Sequence, residues 1–446
     1  MDRRDFVKSA AALGTAAAIP HRGGAATDQP NVILITADDL GWNELSCYGN
    51  PDLDTPNIDR MADEGVRFTN AFVTAPSCSA SRSSIITGQA PHSVGVLGLT
   101  HRHTRYQMPH THPTIAGELR DRGYGTAIQG KWHVATYKNT RKYGYNQRLS
   151  IISIEHAWKA KSYISAHKNR PFYLELNFIQ PHRPEGDHYF RMVKDHPVDP
   201  DSISIPEYWR IPDWPEIRED VAAYYSQIME MDAIIGEIMQ HLEDVGIADN
   251  TLVMFVSDNG PPYPGCKITC YDRGIGTPMI LKWPGRIPEG KVIDSLASTV
   301  DLMPTALEAT GTPVPSVVQG RSLLPLCTGE ADSVRDEIFA EVTYHVTYVP
   351  TRVIRTDRYK YIENLSPDPT GLDQSVNMEW AQKVAMLPGQ RCCVLRPERE
   401  LYDLETDPHE ENNLVDKSSH AAVRKDLSAR LARWRKETND PFPDLS

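Results

Sequence analysis

The sequence predicts an α/β protein: a large, mostly parallel sheet sandwiched by helices, followed by a smaller C-terminal α+β domain. Three observations point there. Continuous apolar runs have the length of buried strands, helical patterns alternate with them to about residue 310, and short strand-like pieces take over from about Val334.

Taken in order, residues 31–36 (NVILIT) form an apolar run of buried-strand length. Residues 57–64 have helical spacing that stops at Gly65, and 66–73 read as the next strand. A helix over 114–122 leads to a strand at 125–129, and 172–178 is a further strand. Long helical periodicity over 221–245 precedes the strand 251–256 (TLVMFV), and 278–281 with a helix over 301–310 closes a catalytic unit spanning 27–333. In the remainder, 334–446, strand-like pieces at 337–342, 351–354 and 359–362 precede a loop-rich stretch and a terminal helix over 422–438.

Residues 1–26 differ from the rest. Arg3 and Arg4 precede Phe6, an Ala-rich run over 9–19 follows, and small residues end it at Ala26. This is the pattern of a twin-arginine export leader, so the protein is expected outside the cytoplasm, in the periplasm or beyond. The leader holds four basic and two acidic residues, so its removal moves the net charge from -12 to -14. So acidic a body argues against nucleic acid as a partner. No run approaches the roughly 18 apolar residues of a membrane span. Seven cysteines are an odd count, so at least one stays unpaired if the others form disulfides, and Cys78 is the candidate. None has zinc-ligand spacing.

Ligands of an open parallel sheet bind beyond the carboxyl ends of its strands. Asp38 and Asp39 follow the first strand, Lys131 and His133 follow 125–129, His182 follows 172–178, and Asp258 with Asn259 follows 251–256. Three carboxylates and an amide are oxygen donors suited to a hard divalent cation, calcium or magnesium. Cys78 opens a short helix between Ser77 and Gly88, where free N–H groups favour an anion, and Arg82 lies one turn on along the same face.

The segment CSASRSSIITG resembles the signature of the sulfatase family, in which the cysteine is oxidised to formylglycine. NVILITADDLGW, TPNIDRMADEGVRFTNAF, GKWH, PHRP, SDNG and ELYDLETDPHEENNL extend the resemblance over nearly the whole mature chain. It implies an alkaline-phosphatase-like fold and a site carried over position by position. Asp38, Asp39, Asp258, Asn259 and the modified Cys78 would bind Ca²⁺, Arg82 and His133 would hold the formylglycine hydrate, and Lys131, His182 and Lys267 would contact sulfate. His182 would protonate the leaving group and His133 would take the proton that releases sulfate. Ala80 stands where the family most often has Pro, so either a formylglycine-generating enzyme or an anaerobic sulfatase-maturing enzyme would be the partner that oxidises Cys78.

Within the family, GQAPHSVGVLGL, the run Pro261 to Pro264 and the terminal Trp434, Glu437, Thr438, Asp440 and Pro441 resemble the heparan N-sulfatases (sulfamidases), which implies N-sulfoglucosamine in a sulfated saccharide as substrate. Lys267 departs from that group, which more typically has Arg there. An O-sulfatase on another glycan or aryl sulfate, a phosphoester or phosphonate hydrolase, and a catalytically silent sugar-binding protein are the alternatives.

Overall fold

The computed structural model describes residues 29–101, 105–150, 157–184, 189–373, 375–387 and 390–442. The leader read in residues 1–26 lies outside them. Strands β1 (Asn31–Ala37), β2 (Val66–Phe68), β3 (Ala71–Phe72), β4 (Gly125–Gly130), β5 (Gln147–Arg148), β6 (Phe172–Asn177), β7 (Thr251–Ser257), β8 (Met279–Lys282) and β9 (Lys291–Ile293) come first in the chain. Eight of them make one sheet in the order β5-β4-β6-β1-β7-β8-β2-β9, and β3 pairs with β10 (Ala297–Ser298). Among the described strands of the large sheet only β8 runs against its neighbours; every other pairing is parallel.

The central strand β1 explains the sandwich. All seven of its residues are buried, and alternate side chains point to opposite faces. Ile33 and Ile35 enter a core built with Ile58, Ile164 and the long helix Pro215–Asp244, whereas Val32 and Leu34 enter a second core with Ile86, Leu119 and Met303. Parallel β6 and β7 flank β1 in register, pairing Thr36 with Asn177 on one side and Val256 on the other. The strands on either side of β1 therefore end level with it.

The strand expected over 66–73 is broken. Thr69 bonds to the Ile293 carbonyl and the Asn70 amide to that of Asp294, which turns the chain out of the large sheet before β3. The long helix begins at Pro215 rather than 221, because proline at the first helical position needs no N–H partner there. A further helix, Trp158–His167, has no counterpart among the expected elements.

Strands β11 (Ile338–Tyr344), β12 (Tyr348–Arg355), β13 (Tyr359–Asn364) and β14 (Arg399–Asp403) form a separate antiparallel sheet. β14 lies in the stretch expected to be loop-rich. One face of this sheet packs Val342, Val353, Ile362 and Tyr402 against Phe72, Tyr271 and Ile275, and the other packs Ile354 and Leu401 against Leu427 and Leu431 of the helix Ala421–Glu437. No described helix is long and apolar enough to cross a membrane.

The helix Cys78–Thr87 ends at Gly88, whose φ of 64° closes the last turn through its N–H to the Ser84 carbonyl. A Cβ at Gly88 would approach Val318 Cγ1 to 2.8 Å in a backbone region costly for side chains. Gly88→Val is expected to lower the unfolding free energy by roughly 2 kcal/mol or more, read from denaturant midpoints against the wild type.

Candidate active site

Strands β4, β6, β1 and β7 are consecutive neighbours, so the polar residues beyond their ends converge. Asp38 and Asp39 follow β1, and Asp258 and Asn259 follow β7; all four are fully buried. Asp39 adopts φ 66°, a left-handed conformation that costs a side-chain-bearing residue free energy and that Asp tolerates better than most. Its backbone N–H donates to Asp258 Oδ1 at 3.1 Å, and the Asn259 amide donates to Asp39 Oδ1 at 2.8 Å. Tyr224 of the long helix holds the Asp39 carbonyl from below at 2.9 Å. Its hydroxyl oxygen also lies in hydrogen-bond contact with Glu44, a buried carboxyl that burial pushes up to about 7.

Cys78 opens its helix 3.7 Å from Asp38 Oδ1 and 3.9 Å from Asp39 Oδ1. Burial raises its thiol well above the ordinary cysteine range, and Lys131 and Lys267 only partly offset that. An unmodified Cys78 is therefore a neutral thiol and a weak nucleophile. Arg82, one turn on, donates from Nε to Asp258 Oδ2 at 2.7 Å. Lys131 Nζ lies 2.5 Å from Asp38 Oδ2, and Lys267 Nζ lies 2.8 Å from Asp39. Three buried carboxylates thus meet three buried cations. Burial opposes ionisation of Asp39, yet Lys267, His182 and Lys131 together hold its carboxyl below the usual range.

The lysines expected to face sulfate rest on the carboxylates in this structure. Lys267 is kept there by its loop: Ile268 adopts φ 66°, an outlier for a β-branched residue, and its N–H donates to the Pro76 carbonyl at 2.9 Å, tying the loop to the segment before Cys78. His182 follows β6; its Nδ1–H donates to the Arg183 carbonyl at 2.6 Å, which leaves Nε2 toward Asp39 at 3.8 Å. Burial, together with Lys131 and Lys267, outweighs Asp39 and lowers this imidazole to about 4, so the ring is neutral in the free protein. His133 stands further out, with Nε2 2.6 Å from His101 Nδ1, their rings stacked, and its buried Nδ1 without a partner. Burial and the adjacent Lys131 depress its basicity as well.

Asn259 Oδ1 is buried without a hydrogen-bond partner beside Asp38, Asp39 and Asp258. Such an orphaned acceptor among carboxylates fits a cation of the oxygen-seeking kind. Asp38, Asp39, Cys78 and His182 also place ligand atoms within 4.8 Å of one another.

Two supports of the site depend on partners distant in the chain. Ser77 occupies the N-cap position, but its hydroxyl bonds to His345 of the β11–β12 turn rather than to its own helix. Arg183 makes a bidentate pair with Asp220, at 2.5 and 2.8 Å, wholly buried beneath the His182 loop. The pair joins a loop to a helix 37 residues away, so only the neighbouring His182 marks it in sequence. Asp220→Ala leaves the guanidinium buried without its counter-charge and is expected to cost about 3–5 kcal/mol, measured by chemical denaturation.

The family model described as Sulfatase matches residues 30–312, and one described as N-sulphoglucosamine sulphohydrolase, C-terminal, matches 266–369. The chain is 29% identical to the N-sulphoglucosamine sulphohydrolase of Homo sapiens over 92% of its own length and 91% of that protein. It is 28% identical to an ulvan-active sulfatase of Formosa agariphila, over 97% of this chain and 85% of the other. A solved structure described as a complex with its substrate D-glucosamine-2-N,6-O-disulfate shares the fold with a TM-score of 0.70, at 22% identity, covering 94% of this chain and 100% of that one. With a family model covering more than half its length, and with carboxylates, thiol and cations gathered at the strand ends, the chain belongs to the sulfatase family, hydrolases of sulfuric esters and sulfamates.

Proposed function

We propose that this sulfatase removes the N-sulfate from N-sulfoglucosamine in a sulfated saccharide, using formylglycine formed from Cys78 and a calcium ion. The observation that carries the chemistry is the setting of Cys78: a helix N-terminus 3.7 Å from Asp38, with Arg82 one turn on and an orphaned Asn259 oxygen beside it. Similarity along nearly the full length of the human N-sulphoglucosamine sulphohydrolase, including a match to the C-terminal model of that group, supports the substrate.

Asp38, Asp39, Asp258, Asn259 and position 78 would hold the metal, which supplies positive charge that acidifies a hydroxyl at position 78. Formylglycine, once hydrated, supplies two hydroxyls: one to attack sulfur and one to expel sulfate as the aldehyde re-forms. Arg82 orients that group and favours its ionised form. Lys131 and Lys267 stabilise charge on the sulfuryl oxygens, each donor being worth roughly 3 kcal/mol in such a site. His182 delivers a proton from Nε2 to the departing nitrogen, after the anionic substrate has raised the affinity of this ring for it. His133, neutral in the free protein, takes the proton whose loss releases sulfate.

The pattern at Arg3 and Arg4 supports export through the twin-arginine route, which would add a constraint. That route carries folded protein, and Cys78 is only 2% exposed once folded. The maturing enzyme therefore acts in the cytoplasm on the unfolded chain. Intact mass of the cytoplasmic precursor is expected about 18 Da below the cysteine form. An unshifted mass in an active preparation overturns the formylglycine reading.

Calcium titration is expected to raise Tm, by several degrees at saturation, and Asp258→Asn to abolish the rise. A flat Tm in wild type excludes a calcium site here. Matured protein is expected to release sulfate from N-sulfoglucosamine faster than from glucosamine 6-O-sulfate. The reverse order favours the O-sulfatase reading, which the similarity to an ulvan-active sulfatase also supports.

A further inference from the structure

The second sheet contributes a carboxylate to the edge of the site. Asp373, in the irregular segment between β13 and β14, accepts three hydrogen bonds: from Ser375 N–H at 2.8 Å and Ser375 Oγ at 2.5 Å on Oδ1, and from His345 Nε2 at 2.6 Å on Oδ2. The other nitrogen of His345 meets the Ser77 hydroxyl at 2.8 Å, one residue before Cys78. With Nε2–H committed to the carboxylate, Nδ1 is the acceptor. Asp373 is thereby fixed to the start of the nucleophile helix across two domains. Its Oδ2 lies 3.7 Å from Lys267 Nζ, beyond hydrogen-bond reach, while Lys267 itself sits on Asp39.

A fourth carboxylate is out of place in a site for anions. Asp38, Asp39 and Asp258 have a cation each and would share a metal; Asp373 has hydrogen-bond donors and only a distant share of Lys267. Burial would raise its pKa, yet Lys267 and His345 keep it well below the usual carboxylate range, so it is charged. At close range it repels sulfate. An ionised oxygen has about two acceptor directions, His345 takes one on Oδ2, and the same oxygen lies 3.7 Å from Lys267 Nζ. Three hydrogen bonds hold it in one place, as a recognition group requires.

We propose that Asp373 is the specificity residue for the substrate nitrogen: it accepts the sulfamate N–H and then binds the ammonium of the product, an assignment that rests on the N-sulfate reading above. When the S–N bond breaks, nitrogen leaves with the bonding pair and takes one proton to become an amine. A further proton from water makes it an ammonium at neutral pH, and sulfur gains its bond to the oxygen at position 78. A carboxylate favours each of these nitrogen species. An O-sulfate has no donor on its bridging atom and yields a neutral hydroxyl, so Asp373 discriminates between the two linkages.

The test compares wild type with Asp373→Asn, both confirmed by intact mass to carry formylglycine, on N-sulfoglucosamine and on 4-nitrophenyl sulfate. The ratio of the two kcat/KM values is expected to fall at least about tenfold in the variant. An unchanged ratio, whatever the absolute rates, overturns the proposal, because a residue that only positions Lys267 lowers both substrates alike. Wild type alone gives a second readout that needs no folded variant. Glucosamine should inhibit aryl sulfate turnover at least about tenfold more tightly than glucose, and equal inhibition also overturns the proposal. Wild type that cleaves the aryl sulfate but never N-sulfoglucosamine overturns the N-sulfate reading itself, and that result is seen before any variant is compared.

Discussion

The neutralisation of Asp38, Asp39 and Asp258 by Arg82, Lys131 and Lys267 governs the rest of the structure. Each carboxylate is fully buried at the end of a central strand, and a buried charge left alone costs several kcal/mol. Like charges 4 Å apart repel by about 4 kcal/mol even in partly polar surroundings. The cations must therefore arrive from defined places: Arg82 from the helix Cys78–Thr87, Lys131 from just past β4, and Lys267 from the loop after β7. Each delivery fixes an element against the sheet. The left-handed residues Asp39 and Ile268 fall at two of these junctions, where the gain in pairing outweighs the local conformational cost.

The same constraint explains an unusual helix. All ten residues of Cys78–Thr87 are buried, although five are Ser or Thr and one is Arg. Four of the five hydroxyls are satisfied, and only Ser81 Oγ among them is buried without a partner. Ser83 and Ser84 donate to the Ala80 carbonyl, Thr87 donates to that of Ser83, and Ser79 accepts the Thr100 N–H. Small polar side chains let the helix lie close to the strand ends, so that its free N–H groups and Arg82 reach the carboxylates. Larger apolar residues would fill the space that a sulfate needs.

Much of this was legible in sequence, and the reason is local. β1, β4, β6 and β7 announce themselves as apolar runs, and the polar residues that matter come directly after them, so Asp38, Asp39, Lys131, His182, Asp258 and Asn259 could be placed without knowing the strand order. The Cys78 helix carries its own start and stop. What could not be read depends on partners distant in the chain. The break at Thr69 needs the carbonyls of Ile293 and Asp294, and the Arg183–Asp220 pair joins a loop to a helix. The place of Lys267 on Asp39 depends on the turn at Ile268, which leaves no local mark in the sequence. Asp373 gave no sign at all, because a lone acidic residue in a loop-rich stretch looks like any solvated turn until His345 and Ser77 are brought to it.

That last contact shows what the small sheet does for the large one. Its inner face presents Val342, Val353 and Ile362 to Tyr271 and Ile275, and beside this apolar layer Lys360 and Arg355 reach Asp272, at 2.8 and 3.2 Å, in the short turn that follows Lys267. The apolar contact supplies attraction without direction. The ion pairs and the Ser77–His345–Asp373 chain supply direction, since each tolerates only tenths of an ångström of misplacement. The two sheets are thus held in register at the points where the catalytic loops emerge. For the substrate proposed above, groups on either side of the scissile bond would meet walls from different sheets: sulfate the strand ends of the large one, and the sugar the irregular chain hung from the small one. Because the second wall is loop rather than strand, it can change its residues without disturbing the charge pairing that holds the first.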